Sequence, residues 1–144
     1  MSDTPPRGPL ESAFARAASG LPSPATLARL GLGAMLVTAG THKLLDPGAW
    51  AVYVADWLAP WLVVSPVVFM LINGVLEVGF GVALLADRYA AVAAAVAAVS
   101  LTATVGYLAV VWATTGLFGD VIARDVGLIG LALAVFADAA GVSS

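Results

Sequence analysis

The sequence predicts an all-α fold: a four-helix transmembrane bundle with a short interfacial helix between its first and second spans. Three observations predict it. Hydrophobic residues make up 61% of the 144 residues and charged residues only 10%, where soluble domains carry about a quarter charged. The mean hydropathy is +1.00, and a soluble domain of this length cannot hide so much apolar side chain. The apolar residues also fall into four long runs. Each approaches the roughly 20 residues a helix needs to cross about 30 Å of hydrocarbon. None shows the period-two alternation of β-barrel strands. The length suits one compact helical unit.

Residues 1–23 read as a flexible N-terminal tail, polar and rich in proline. Within it Leu10, Phe14, Ala17 and Leu21 recur at helical spacing beside Arg7 and Arg16. That pattern fits either a frayed end or a short helix lying on the membrane surface. No apolar core follows a basic start, so no cleavable signal peptide is expected.

Residues 24–140 form the membrane domain. The first span is expected at about 24–45, with Ser23 as N-cap and Pro24 as the first helical residue. Ser65 and Pro66 repeat that signal for a second span at about 66–86. The third is expected at about 88–115, entered through Asp87, and the fourth at about 121–140, entered through Asp120. Between the first two lies "DPGAWAVYVADWLAPWLVVSP", too short and interrupted to cross. Trp50, Tyr53, Trp57 and Trp61 fall at spacings that place them on one side of a helix over 48–59, stopped by Pro60. Trp and Tyr favour the headgroup region.

Basic residues set orientation. With four crossings, Arg7, Arg16, Arg29 and Arg88 share the side of the termini, against Lys43 and Arg124. A multi-pass protein of the cell membrane with both termini cytoplasmic is expected. For packing, Ala90, Ala94, Ala98 and Thr102 make a small-residue stripe, Ala93 and Ala97 a second, and Gly79 with Ala83 a third. Small residues permit the close backbone approach that holds helices together in lipid.

The chemistry concentrates at depth. Glu77 lies eleven residues beyond Pro66, roughly 16 Å along a helix and near mid-bilayer. A charge there costs about 2.5–3.5 kcal/mol on insertion scales, so it turns toward protein. Asn73 is one turn away on the same face. Lys43 and His42 close the first span, Arg124 and Asp125 open the fourth, and Tyr107 sits in the matching half of the third. Three readings stand open. Glu77 pairs with Lys43 or Arg124 and fixes helix register, or the polar cluster lines a pocket for a headgroup, a quinone ring or a proton. A protonated Glu77 that simply hydrogen-bonds to Asn73 or Tyr107 is the third.

Exclusions are firm. With no cysteine, thiol catalysis, disulfides and cysteine-held clusters are ruled out. A single histidine rules out a bis-histidine haem within the chain. The net charge of −3 and scattered cations do not suit nucleic acid.

"RLGLGAMLVTAGTHKLLDPGAW" resembles the first helix of the DoxX/DoxD-like membrane family, and "NGVLEVGFGVALLADRYAAVAAAVAAV" its second-helix glutamate, glycine pair, tight basic turn and Ala-rich third helix. "RDVGLIGLALAV" is similar to its fourth helix. The resemblance covers about residues 27–137. It implies a four-helix membrane bundle. Some members are similar to the membrane subunit of a thiosulfate:quinone oxidoreductase, others are linked to complexes with superoxide dismutase and sulfurtransferase partners, and many have no known activity. Lys43, Asp46 and Glu77 match the family pattern, as do Arg124 and Asp125. His42 is not a hallmark of it.

The first functional expectation is therefore a membrane subunit of a redox or quinone-linked complex, with quinone as the possible bound cofactor. Its site would draw on Lys43, Asn73, Glu77, Tyr107, Arg124, His42, Asp46 and Asp125. Whether the chain is an enzyme is left open; it holds no self-contained redox centre, so electrons would come from a partner. The expected partners are the lipid bilayer and a redox protein or further copies of the chain. The alternative is a non-enzymatic structural or transport-like bundle whose buried charges serve folding and assembly.

Overall fold

The computed structural model describes residues 8–142. Among them the secondary structure is entirely helical: α1 (Pro9–Ala18), α2 (Pro24–Leu45), α3 (Pro47–Ala51), a 3-10 turn (Ala59–Trp61), α4 (Pro66–Leu85), α5 (Ala90–Thr115) and α6 (Gly119–Ala139). The proline and serine signals act as expected. Ser23 accepts from the Thr26 N–H at 3.1 Å and Ser65 from the Val68 N–H at 3.3 Å, each just before a proline at the first helical position.

Two entry points differ from expectation. Neither Asp87 nor Asp120 caps a helix. The caps are Tyr89 and Phe118, both in the left-handed region with φ of 53° and 68°. Asp120 lies inside the first turn of α6, where a carboxylate suits the helix dipole. Asp87 is engaged elsewhere. α4 ends with the Arg88 N–H donating to the Ala83 carbonyl at 2.8 Å, and Arg29 of α2 caps the same end. Its guanidinium donates to the carbonyls of Leu84 and Leu85 and pairs with Asp87 at 3.3 Å.

The aromatic segment is not one helix over 48–59. Only Pro47–Ala51 is helical, and Pro60 lies inside the later 3-10 turn rather than stopping a helix. The reason is tertiary. The Tyr107 hydroxyl accepts from the Ala55 N–H at 2.7 Å and donates to the Tyr53 carbonyl at 2.8 Å, so α5 takes backbone groups that a helix would have used itself. The aromatic rings consequently do not share one side. Trp50 and Tyr53 are neighbours at 6.0 Å, Trp57 lies 5.7 Å from Tyr107, and Trp61 is 82% exposed.

α2 packs chiefly on α4 and α5 chiefly on α6, and the pairs meet through α2–α6 and α4–α5. The core between them is Leu32, Leu36, Leu84, Ala93, Ala94, Ala97, Ala98, Ala132 and Val135. The alanines of α5 are thus the packing surface their spacing predicts, although Thr102 is exposed and its hydroxyl turns back to the Ala98 carbonyl. Gly79 does not join the packing; a Cβ there would meet nothing within 4 Å. Two other glycine pairs do. A Cβ on Gly33 would stand 3.0 Å from the Gly81 carbonyl oxygen, and one on Gly40 2.7 Å from that of Gly74. Backbone meets backbone at both points.

α4 and α5 are long and apolar enough to cross a membrane, with mean hydropathies of 2.1 and 2.0. Only 22% and 28% of those stretches is buried, so they are not the core helices of a soluble fold. α2 and α6 have similar lengths but carry Arg29, His42 and Lys43, and Asp120, Arg124, Asp125 and Asp138. They do not pass the same apolar test.

Candidate functional site: a buried ion pair under an indole

Glu77 meets Lys43. The Lys43 ammonium donates to Glu77 Oε1 at 2.5 Å, with the two side chains 10% and 22% exposed. The glycine contact makes this possible. A Cβ on Gly40 would lie 2.9 Å from the Glu77 Cβ, so α4 runs close against α2 one turn from Lys43. Glu77 Oε2 is buried and accepts no hydrogen bond among the described residues.

The roof is aromatic. Asp46 ends α2 and also caps α3, accepting from the Ala49 N–H at 3.1 Å. This turn folds the chain back so that the Trp50 ring lies 4.5 Å from the Lys43 ammonium, a cation–π contact. The Trp50 indole N–H donates to His42 Nδ1 at 2.6 Å. Tyr53 extends the cover from Trp50 to Phe118, 4.8 Å away at the α5–α6 turn.

The other predicted residues are only partly gathered here. Counting along each helix, Lys43 lies seven residues beyond Leu36, Glu77 seven before Leu84 and Asp125 seven before Ala132. Since Leu36, Leu84 and Ala132 share one core cluster, the three charges stand at one height, roughly 10 Å above it. Asp125 is buried, but it accepts from Arg124 beside it on α6 at 2.9 Å. The Arg124 side chain is 59% exposed and is not the partner of Glu77. Tyr107 serves the loop, not the carboxylate. Asn73 is partly buried and takes no part in the Lys43–Glu77 bond.

Sequence reasoning placed Trp50 in an interfacial stripe and missed it as the roof of the site. The Asp-Pro turn after Lys43 was the available signal that the chain doubles back. Gly40 was missed because its partner lies on another helix.

The DoxX family model matches residues 25–115, from the first turn of α2 to the last residue of α5. The chain belongs to the DoxX family. Lys43, Asp46, Trp50 and Glu77 all fall inside the matched stretch, so the ion pair, its roof and the turn that places the roof lie in the DoxX portion. α6, with Arg124 and Asp125, lies outside it, and the match is narrower than the expected 27–137. Together with the apolar α4 and α5, DoxX membership makes this a membrane protein in contact with lipid. No curated protein and no solved structure matches the chain.

Proposed function

We propose that this DoxX protein is a four-span subunit of the cell membrane, with both termini cytoplasmic, whose Lys43–Glu77 site holds the head of a quinone for a redox partner protein. One observation carries the reading: a buried carboxylate oxygen without a partner among the described residues, beside an ammonium that gives one bond to Glu77. A lysine has three donors, and a buried acceptor left unpaired costs about 1–3 kcal/mol. A head whose oxygens are carbonyls when oxidised and hydroxyls when reduced answers both needs. Lys43 would donate to a carbonyl of the quinone, Glu77 would accept from a hydroxyl of the quinol, and the Trp50 face would lie against the ring. Quinone supplies the two-electron chemistry; the chain binds and orients it.

The four crossings rest on length and pairing. α2 and α6 have 22 and 21 residues, about 33 and 31 Å of helix. Each pairs along its length with an apolar neighbour, and their charges lie at the ends or on buried faces.

A second reading has its own support. The short bond between α2 and α4, one turn from the Gly40–Gly74 contact, suits a purely structural staple. Quinone titration of a variant keeping Trp50 and replacing Trp57, Trp61 and Trp112 by Phe separates the two. The quinone reading expects quenching of Trp50, weakened about tenfold in Glu77→Gln, the equivalent of about 1.4 kcal/mol. Folded protein whose Trp50 emission ignores quinone leaves only the staple.

A further inference from the structure

α1 is amphipathic, and the bundle does not cover it. Leu10, Ala13, Phe14 and Ala17 recur at the spacing of one helical face, while Ser12, Arg16 and Ser19 occupy the other. No residue of α1 is buried, and Leu10 and Phe14 are 75% and 73% exposed. Its partly sheltered residues, Ser12 and Ala15, both lie off the apolar stripe. Ten residues make about 15 Å of helix, half the hydrocarbon thickness, so α1 does not cross.

We propose that α1 is an interfacial anchor, lying in the headgroup layer on the side of the N-terminus with Leu10 and Phe14 in the acyl boundary. The inference rests on the reading of α2 as a span. The connection from Ser19 to Ser23 reaches at most about 18 Å when extended, so α1 cannot leave the neighbourhood of Pro24, where α2 begins. Pro22 and Pro24 hold Leu21 and Ser23 away from helical geometry, and Ser23 is indeed extended, at φ −57° and ψ 151°. The chain makes an elbow there instead of prolonging α2 out of the membrane. Leu21, in that elbow, is itself 61% exposed and adds one more uncovered apolar side chain.

The same end of the bundle carries the marks of a lipid surface. Leu27 and Leu30 are exposed in the first turns of α2. Tyr89 is 81% exposed and Arg88 exposed in the α4–α5 turn, an aromatic and a cation at headgroup level. Arg16, on the polar face of α1, adds a second exposed cation, complementary to anionic headgroups.

The absence of cysteine from the chain makes the test clean. Single variants Leu10→Cys, Phe14→Cys, Ser12→Cys and Arg16→Cys of the full chain carry a nitroxide in phosphatidylcholine–phosphatidylglycerol vesicles, with exposed Ala34→Cys in the middle of α2 and Val99→Cys on α5 as references. The anchor expects labels at 10 and 14 to collide with oxygen and be shielded from an aqueous nickel complex, and labels at 12 and 16 to show the reverse. Equal nickel access at all four positions overturns it, as does a stripe shielded from both reagents, which would mean protein cover. Lipid-like references with an aqueous stripe refute the anchor alone. Aqueous references refute the spanning reading beneath it.

Discussion

Gly40 and Gly74 face one another across α2 and α4 so closely that a Cβ on either would stand within 2.9 Å of the other's carbonyl oxygen. Backbone atoms cannot rotate aside as a side chain can. Gly40→Ala should therefore destabilise the bundle by about 1–3 kcal/mol, the usual cost of overpacking. Gly79→Ala, with open space around it, should be neutral or gain up to about 1 kcal/mol from helix propensity. Thermal unfolding in detergent compares the two, and equal losses would contradict the glycine contact.

The Lys43–Glu77 bond predicts strong coupling. Lys43→Met or Glu77→Leu alone leaves a buried charge without its counterion and should cost about 3–5 kcal/mol. The double variant should cost much less than the sum, because two apolar side chains need no partner. A double-mutant cycle reads the coupling, and additive losses would mean that the residues do not act as a pair.

At the opposite end, Arg29 and Asp87 should contribute unequally. The Arg29 side chain is 17% exposed and holds two carbonyls of α4, whereas that of Asp87 is 67% exposed. Arg29→Ala should lose about 1.5–3 kcal/mol, the range for hydrogen bonds to a charged group. Asp87→Asn removes only an exposed ion pair, worth under about 1 kcal/mol, and keeps a side chain that tolerates positive φ. Chemical denaturation of the two variants orders them.

Tyr107→Phe removes the hydroxyl that binds both Tyr53 and Ala55. The bundle should persist, while residues 52–58 loosen by about 1–3 kcal/mol. Hydrogen exchange at the Ala55 amide should accelerate, and Trp57 emission should shift as its contact with ring 107 weakens. Unchanged exchange would show that the loop is held by something else.

Much of this architecture could be read from the chain alone. Ser23–Pro24 and Ser65–Pro66 announced two helix starts because capping is local chemistry, written within four residues. The alanines of α5 announced its packing face for the same reason. Glu77 was legible as an acid turned toward protein because a carboxylate facing acyl chains is costly. What stayed hidden depended on contacts between distant residues. Nothing near residue 55 reveals that Tyr107 will claim its amide. The seven-residue glycine spacing on α2 and α4 has meaning only once the two helices are laid together, and Arg124, which the sequence offered to Glu77, pairs instead with its own neighbour Asp125.

The glycine spacing has a consequence for assembly. Gly33 and Gly40 lie seven apart, as do Gly74 and Gly81, so α4 could slide along α2 by one repeat, about 10 Å, and still set one glycine against another. Those contacts bring the backbones close but tolerate misalignment. Lys43 and Glu77 meet in a single alignment, and any slipped pairing of the two helices would leave an ammonium and a carboxylate each without its counterion. The charges proofread what the glycines leave ambiguous.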